Sequence, residues 1–222
     1  ALIVDAEAGQ RGFLLTGNLH TNTALVSYNQ NTPTKNFLSY SYSLTALHRR
    51  LYKPGRFSDL TIDATGFWYL KNFWDISLTA AYLPDQHDYF VLEQPSIEKY
   101  ARRPQYGYFQ VSGNSDSRKK LLISYEMLLA DFFKNPEKSY NVFEGGLRYR
   151  FSNKLTTEIT HRYEKETDYI FLYNKTPAGE PVIAFGDFKE VTSIFSAIYN
   201  FTPRINLTLR LRHYWNNVPV KR

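Results

Sequence analysis

Phe143-Glu144-Gly145-Gly146-Leu147-Arg148-Tyr149-Arg150-Phe151, then Ser152-Asn153-Lys154, then Leu155-Thr156-Thr157-Glu158-Ile159-Thr160-His161-Arg162-Tyr163 is the stretch that decides the fold. Successive side chains of a strand point to opposite faces. One face of the first run therefore carries Phe143, Gly145, Leu147, Tyr149 and Phe151, and the other Glu144, Gly146, Arg148 and Arg150. After the polar break, Leu155, Thr157, Ile159, His161 and Tyr163 alternate with Thr156, Glu158, Thr160 and Arg162. With residues 152–154 as the turn of an antiparallel hairpin, Arg148 falls opposite Glu158 and Glu144 opposite Arg162, both pairs on one face. Four charges on a packed core face would carry a heavy desolvation cost, yet the opposite face is nearly all apolar. Apolar outside and charged but paired inside is the pattern of a membrane-spanning β-barrel.

Composition supports that reading. Of 222 residues, 43% are hydrophobic and 17% aromatic, with 18 Tyr and 16 Phe, yet mean hydropathy is only −0.44. A barrel keeps half of each strand polar and gathers aromatics in girdles at the membrane interfaces, which reconciles the two figures. No apolar run approaches the roughly 18 residues of a spanning helix. Without cysteine, disulfides, thiolate metal sites and cysteine nucleophiles are excluded. The net charge of +6 does not point to nucleic acid, because the basic residues alternate along strands instead of clustering.

Working outward, Leu70-Lys71-Asn72, Gly113-Asn114-Ser115-Asp116-Ser117-Arg118 and Thr202-Pro203-Arg204 are compact turns like Ser152-Asn153-Lys154. Between them lie longer polar stretches at 84–105, 131–138 and 165–189. Short turns toward the periplasm and long loops outside are the barrel topology. The alternation predicts strands over 11–19, 22–29, 37–49, 57–69, 73–83, 105–113, 119–130, 139–151, 155–166, 190–201 and 205–216. The fold class is thus all-β, a transmembrane antiparallel up-and-down β-barrel. About eleven strands is an odd count for a single-chain barrel, and the terminal aromatic residue on which many such barrels end is lacking. The expectation is one partial barrel domain over residues 1–222, with an N-terminal domain and C-terminal strands outside the chain. Turns around Lys71 and Pro203 set Trp68 opposite Trp74, Tyr199 opposite Leu207, Phe195 opposite Leu211 and Ser196 opposite Arg210.

Three groups of residues are candidates for function. The inward charges Arg148, Arg150, Arg162, Arg210, Arg212, Glu144 and Glu158 line a lumen, where charged rings select solutes or simply satisfy one another. Arg150, Arg210 and Arg212 have no acid assigned by local pairing. Trp68, Trp74, Tyr149, Tyr199 and Trp215 are expected at the membrane interfaces, where amphipathic rings are best placed. The loop motif Gln86-His87-Asp88-Tyr89-Phe90 sets His beside Asp, but neighbours on an extended chain point apart, which disfavours a shared metal or a catalytic pair. Loop aromatics can stack on sugar rings or fold the loops together. The stretches Asp168-Tyr169-Ile170-Phe171-Leu172-Tyr173 and Pro181-Val182-Ile183-Ala184-Phe185-Gly186 read as a hairpin that continues the wall above the membrane. The five histidines show no ligand spacing, so no metal and no cofactor is expected.

Gln86-His87-Asp88-Tyr89-Phe90 with Arg103-Pro104, Gly146-Leu147-Arg148-Tyr149-Arg150-Phe151-Ser152 and Leu207-Thr208-Leu209-Arg210-Leu211-Arg212-His213-Tyr214-Trp215 resemble a family of Gram-negative outer-membrane proteins. Its C-terminal barrel is catalogued as a domain of unknown function, commonly preceded by a carbohydrate-binding-like domain of the family-nine type. The likeness covers roughly residues 36–222. It implies a place in the outer membrane and a larger protein, and brings no reaction and no catalytic residue. The expected function is a pore or a translocation and binding component, linked to saccharide handling, with outer-membrane lipid and a saccharide or other small solute as partners. The alternative is a scaffold barrel with a plugged lumen that docks other outer-membrane proteins. A membrane-embedded hydrolase is a remote third.

Overall fold

The computed structural model describes residues 18–89, 100–177 and 181–219. They form strands β1 (Leu19–Gln30), β2 (Phe37–Leu51), β3 (Phe57–Leu70), β4 (Asp75–Leu83), β5 (Gln86–Asp88), β6 (Ala101–Arg103), β7 (Tyr106–Asn114), β8 (Leu121–Asp131), β9 (Ser139–Arg150), β10 (Leu155–Lys175), β11 (Pro181–Thr202) and β12 (Ile205–Asn217). Ten of them make one sheet in the order β1-β2-β3-β4-β7-β8-β9-β10-β11-β12, every neighbouring pair antiparallel, and β5 and β6 make a separate small hairpin. Among the described residues β1 and β12 each have one neighbour, so the sheet is all-β and antiparallel but does not close into a barrel. The expected strand 11–19 lies almost wholly outside the described residues; the other ten expected strands are all present.

The hairpin that decided the reading has the expected register: Arg148 pairs with Glu158, Leu147 with Ile159 and Glu144 with Arg162. The register at Pro203 also holds, with Tyr199 opposite Leu207, Phe195 opposite Leu211 and Ser196 opposite Arg210. At Lys71 it does not. The turn comprises residues 71–73: Leu70 N–H donates to Trp74 O at 2.8 Å and Phe73 N–H to Leu70 O at 2.9 Å. Trp68 therefore pairs with Ile76, not Trp74. The cause is Phe73, which takes φ 64°, the left-handed position of a three-residue hairpin loop where a bulky side chain is a rare occupant. Packing holds it there, since its ring meets Tyr69 edge-on at 6.0 Å and the Arg118 guanidinium lies 3.1 Å from its centre.

Arg118 links that turn to the next one. It grips Asp116 with Nε and a terminal nitrogen, each at 2.8 Å, while its backbone N–H donates to the same carboxylate at 3.0 Å. These bonds hold the Asp116 carboxyl at about 2, below its ordinary 3.8. A carboxyl whose pKa is lower folded than unfolded contributes stability above its unfolded value, and that contribution is lost as pH falls through the folded one. The expected result is a stabilisation complete above pH about 4 and gone near pH 2, seen by carboxyl-carbon NMR and removed by Asp116→Asn.

Two further differences concern the other end of the sheet. The stretch 165–189 is mostly strand, because β10 and β11 run on together past bulges at Glu166/Tyr169 and Leu172/Asn174. The hairpin expected from 168–173 and 181–186 is thus present. The stretch 84–105 is not simply loop, since Gln86 pairs with Arg103 and Asp88 with Ala101. This small hairpin packs on β3, with Ser58 Oγ 3.4 Å from the His87 carbonyl and Phe57 meeting the His87 ring edge-on at 5.7 Å.

Cross-strand pairing sorts every long strand into the same two faces. One carries Val26, Leu44, Ala64, Leu78, Val111, Met127, Phe143, Ile159, Phe195 and Leu211, in strand order. Large apolar residues on it stay open to the surroundings, among them Leu147 at 48% and Leu211 at 56% exposed. The other face carries hydroxyls, amides and charges, with Leu128, Val142 and Ile194 among them.

Candidate functional site

The polar face is built by the residues between the apolar ones, so each strand contributes a column of side chains. Along β9 and β10 the columns are Tyr140, Val142, Glu144, Gly146, Arg148 and Arg150 against Glu166, Glu164, Arg162, Thr160, Glu158 and Thr156. At its centre Arg162 donates to Glu144 at 3.3 Å and to Glu164 at 2.9 Å. One guanidinium thus serves two acids, and Glu144 also faces Glu126 across β8 and β9. Tyr140 adds a hydroxyl donated to Glu164 at 2.8 Å, and Tyr214 one donated to Glu190 at 3.0 Å.

Arg148 and Glu158 are cross-strand partners, but no ion pair joins them. Arg148 donates instead to the Ser117 carbonyl at 3.4 Å. Register places two side chains side by side; which acceptor a long guanidinium takes depends on the neighbouring turn, which the hairpin alone does not reveal. Arg150 stands opposite Thr156 on the same face, at the short-turn end. Arg210 and Arg212 lie on the edge strand opposite Ser196 and Ile194, with Arg212 5.2 Å from the Tyr214 ring centre.

The aromatics expected at membrane interfaces lie on the apolar face. Trp68 spans back over Gly66 and donates its indole N–H to Tyr42 Oη at 3.2 Å. Trp74 borders the 71–73 turn, while Tyr149 and Tyr199 meet Phe151 and Phe201 edge-on at 4.7 and 4.8 Å. All four border the short-turn end. Trp215, opposite Val191, marks the other end.

At the long-loop end the Gln86–Asp88 hairpin folds over the polar face. His87 stacks on Tyr100 at 4.1 Å, and Tyr89 is buried beside them. Asp88 accepts from Arg103 Nε at 2.8 Å, so His87 and Asp88 do serve different partners. Phe90 lies outside the described residues. Asp85 pairs with Arg102, which draws its carboxyl below the ordinary range. Across from the hairpin, Lys138 is 7% exposed; its ammonium donates to Asp168 O at 2.7 Å, lies 3.5 Å from Glu166 and sits 5.0 Å from the Phe132 ring centre. Burial pushes the Lys138 ammonium below the usual lysine range, against the pull of Glu166. Sequence reasoning missed Arg49, Asp59, Lys138, Tyr140 and Glu166; Tyr106 it counted only among the loop aromatics able to stack on sugar rings or fold the loops together. The signal for Tyr140 and Glu166 was the alternation within the expected strands 139–151 and 155–166, which puts them on the face of Glu144 and Arg162; for Lys138 none exists, because it precedes β9.

No curated protein and no solved structure matches the chain. A family model described as a domain of unknown function (DUF5916) matches residues 8–222, including residues before position 36 that the resemblance did not cover. The chain belongs to this family of unknown function.

Proposed function

We propose that the chain forms part of the wall of a transmembrane β-barrel in the cell outer membrane, its apolar face on lipid and its polar face lining a passage for hydrophilic solutes. The observation that carries this reading is the continuous apolar face across ten strands. An exposed apolar surface beyond a few hundred Å² marks an interaction surface, and aromatic rings border this one at the short-turn end, as at a lipid–water boundary. The opposite face, with its paired charges, is stable against water and costly against a hydrophobic core.

A scaffold role, with a plugged lumen and loops that dock other outer-membrane proteins, is favoured by one feature: the Gln86–Asp88 hairpin folds over the polar face. Two measurements separate the readings. The protein is expected to leave membrane fractions only in detergent and, in planar bilayers, to give stepwise conductance. Release without detergent overturns the membrane assignment; a folded, inserted protein without conductance favours the scaffold.

A further inference from the structure

Two cavities open side by side at the long-loop end of the polar face, about 310 Å³ and about 200 Å³ in volume. Arg49, Asp59, Gln86 and Asp88 line the first; Phe132, Lys138, Tyr140 and Glu166 line the second. Arg103 and Tyr106 line both, so the two are compartments of one groove. It falls in the size range of small-ligand sites.

The charges in this groove are matched. Arg49 Nε donates to Asp59 at 2.6 Å, Arg103 holds Asp88 at 2.8 Å and Lys138 stands 3.5 Å from Glu166. An anionic ligand would have to compete with a carboxylate for a guanidinium that already holds it, and a cationic ligand faces the converse. Either would give up a charge-assisted pair, among the strongest hydrogen bonds a protein makes. A hydroxyl both donates and accepts. An uncharged ligand rich in hydroxyls can therefore add hydrogen bonds to these groups without breaking the pairs. Gln86 adds an amide that offers both functions. The groove also has an apolar wall: Tyr106 stacks on Phe132 at 4.9 Å, with Tyr140 lining the same compartment. A few placed polar groups against aromatic surface is the lining of a ring-shaped ligand's site.

We infer that this groove is a recognition site for neutral saccharides at the mouth of the passage. Tyr106, backed by the buried Phe132 on which it stacks, takes the C–H face of a sugar ring, while Arg103, Asp88 and Gln86 take its hydroxyls. The inference rests on the reading of the polar face as the water-filled side of a barrel.

The test is to place the detergent-solubilised protein on an array of neutral, uronate-bearing and sulfated oligosaccharides, with calorimetry on the strongest ligand. Neutral oligosaccharides are expected to bind over acidic ones. Tyr106→Ala should weaken binding at least about tenfold while Tyr106→Phe stays within about twofold. Because Tyr106 packs on Phe132, Gln86→Ala on the hairpin is the second variant, expected to weaken binding by about three- to tenfold. Absence of binding to any neutral glycan, preference for acidic ones, or unchanged affinity in both Tyr106→Ala and Gln86→Ala overturns the inference. A protein that inserts and conducts but binds no neutral glycan overturns it and leaves the barrel reading standing. Folding without detergent overturns the barrel reading and, with it, the placement of the groove at the mouth of a passage.

Discussion

Leu147→Arg is expected to cost about 1–3 kcal/mol of folding stability in a lipid bilayer, between the cost of a guanidinium at the membrane midplane and its small cost at the interface, where Tyr149 lies two residues away. Leu147 sits in the middle of the ten-strand sheet, between Ile123 of β8 and Ile159 of β10 on the apolar face. It is 48% exposed, so none of the described residues forms a second layer against it. The matching control is Thr160→Arg, one residue along from Ile159 and on the polar face beside Gly146; there the change should stay within about 1 kcal/mol, because the arginine meets water and acids. Urea unfolding from vesicles, followed by the fluorescence of Trp68, Trp74 and Trp215, gives both values. Equal costs at the two positions would contradict the assignment of faces.

Lys138→Met is expected to lose about 3–5 kcal/mol, the penalty for removing one partner of a buried ion pair. The side chains of Lys138 and Glu166 are 7% and 17% exposed, so the carboxylate left behind is compensated only by the water that reaches it through the groove. Methionine keeps the volume and the contact with Phe132, which isolates the charge from the packing. The double change Lys138→Met with Glu166→Leu should recover most of the loss, since replacing a whole buried pair by apolar residues is often close to neutral. A double-mutant cycle in the same unfolding assay measures this coupling. Additive losses would show that the two side chains act independently.

How much of this was legible beforehand follows from the range of each interaction. Side-chain alternation is strictly local, and a three-residue turn ties two strands into one register. The Phe143–Tyr163 hairpin and the Pro203 hairpin were therefore readable down to individual partners. The same logic failed at Lys71 because Phe73 occupies a left-handed position held by Tyr69 and Arg118, and Arg118 lies in another turn. It also overreached at Arg148, whose cross-strand partner is Glu158 but whose acceptor is the Ser117 carbonyl.

The groove was less legible. Lys138 meets Glu166 and Asp168 from beyond a strand end, Arg103 meets Asp88 only because the long loop folds into a hairpin, and Tyr106 reaches Phe132 from a neighbouring strand. The sequence by itself determined that this chain is an antiparallel sheet with one apolar and one charged face, because period-two alternation and turn residues act between near neighbours. Only the tertiary structure decided which charges satisfy each other and where the loop hairpin lies. Long side chains choose partners by proximity in space, and that proximity comes from packing between segments far apart in the chain.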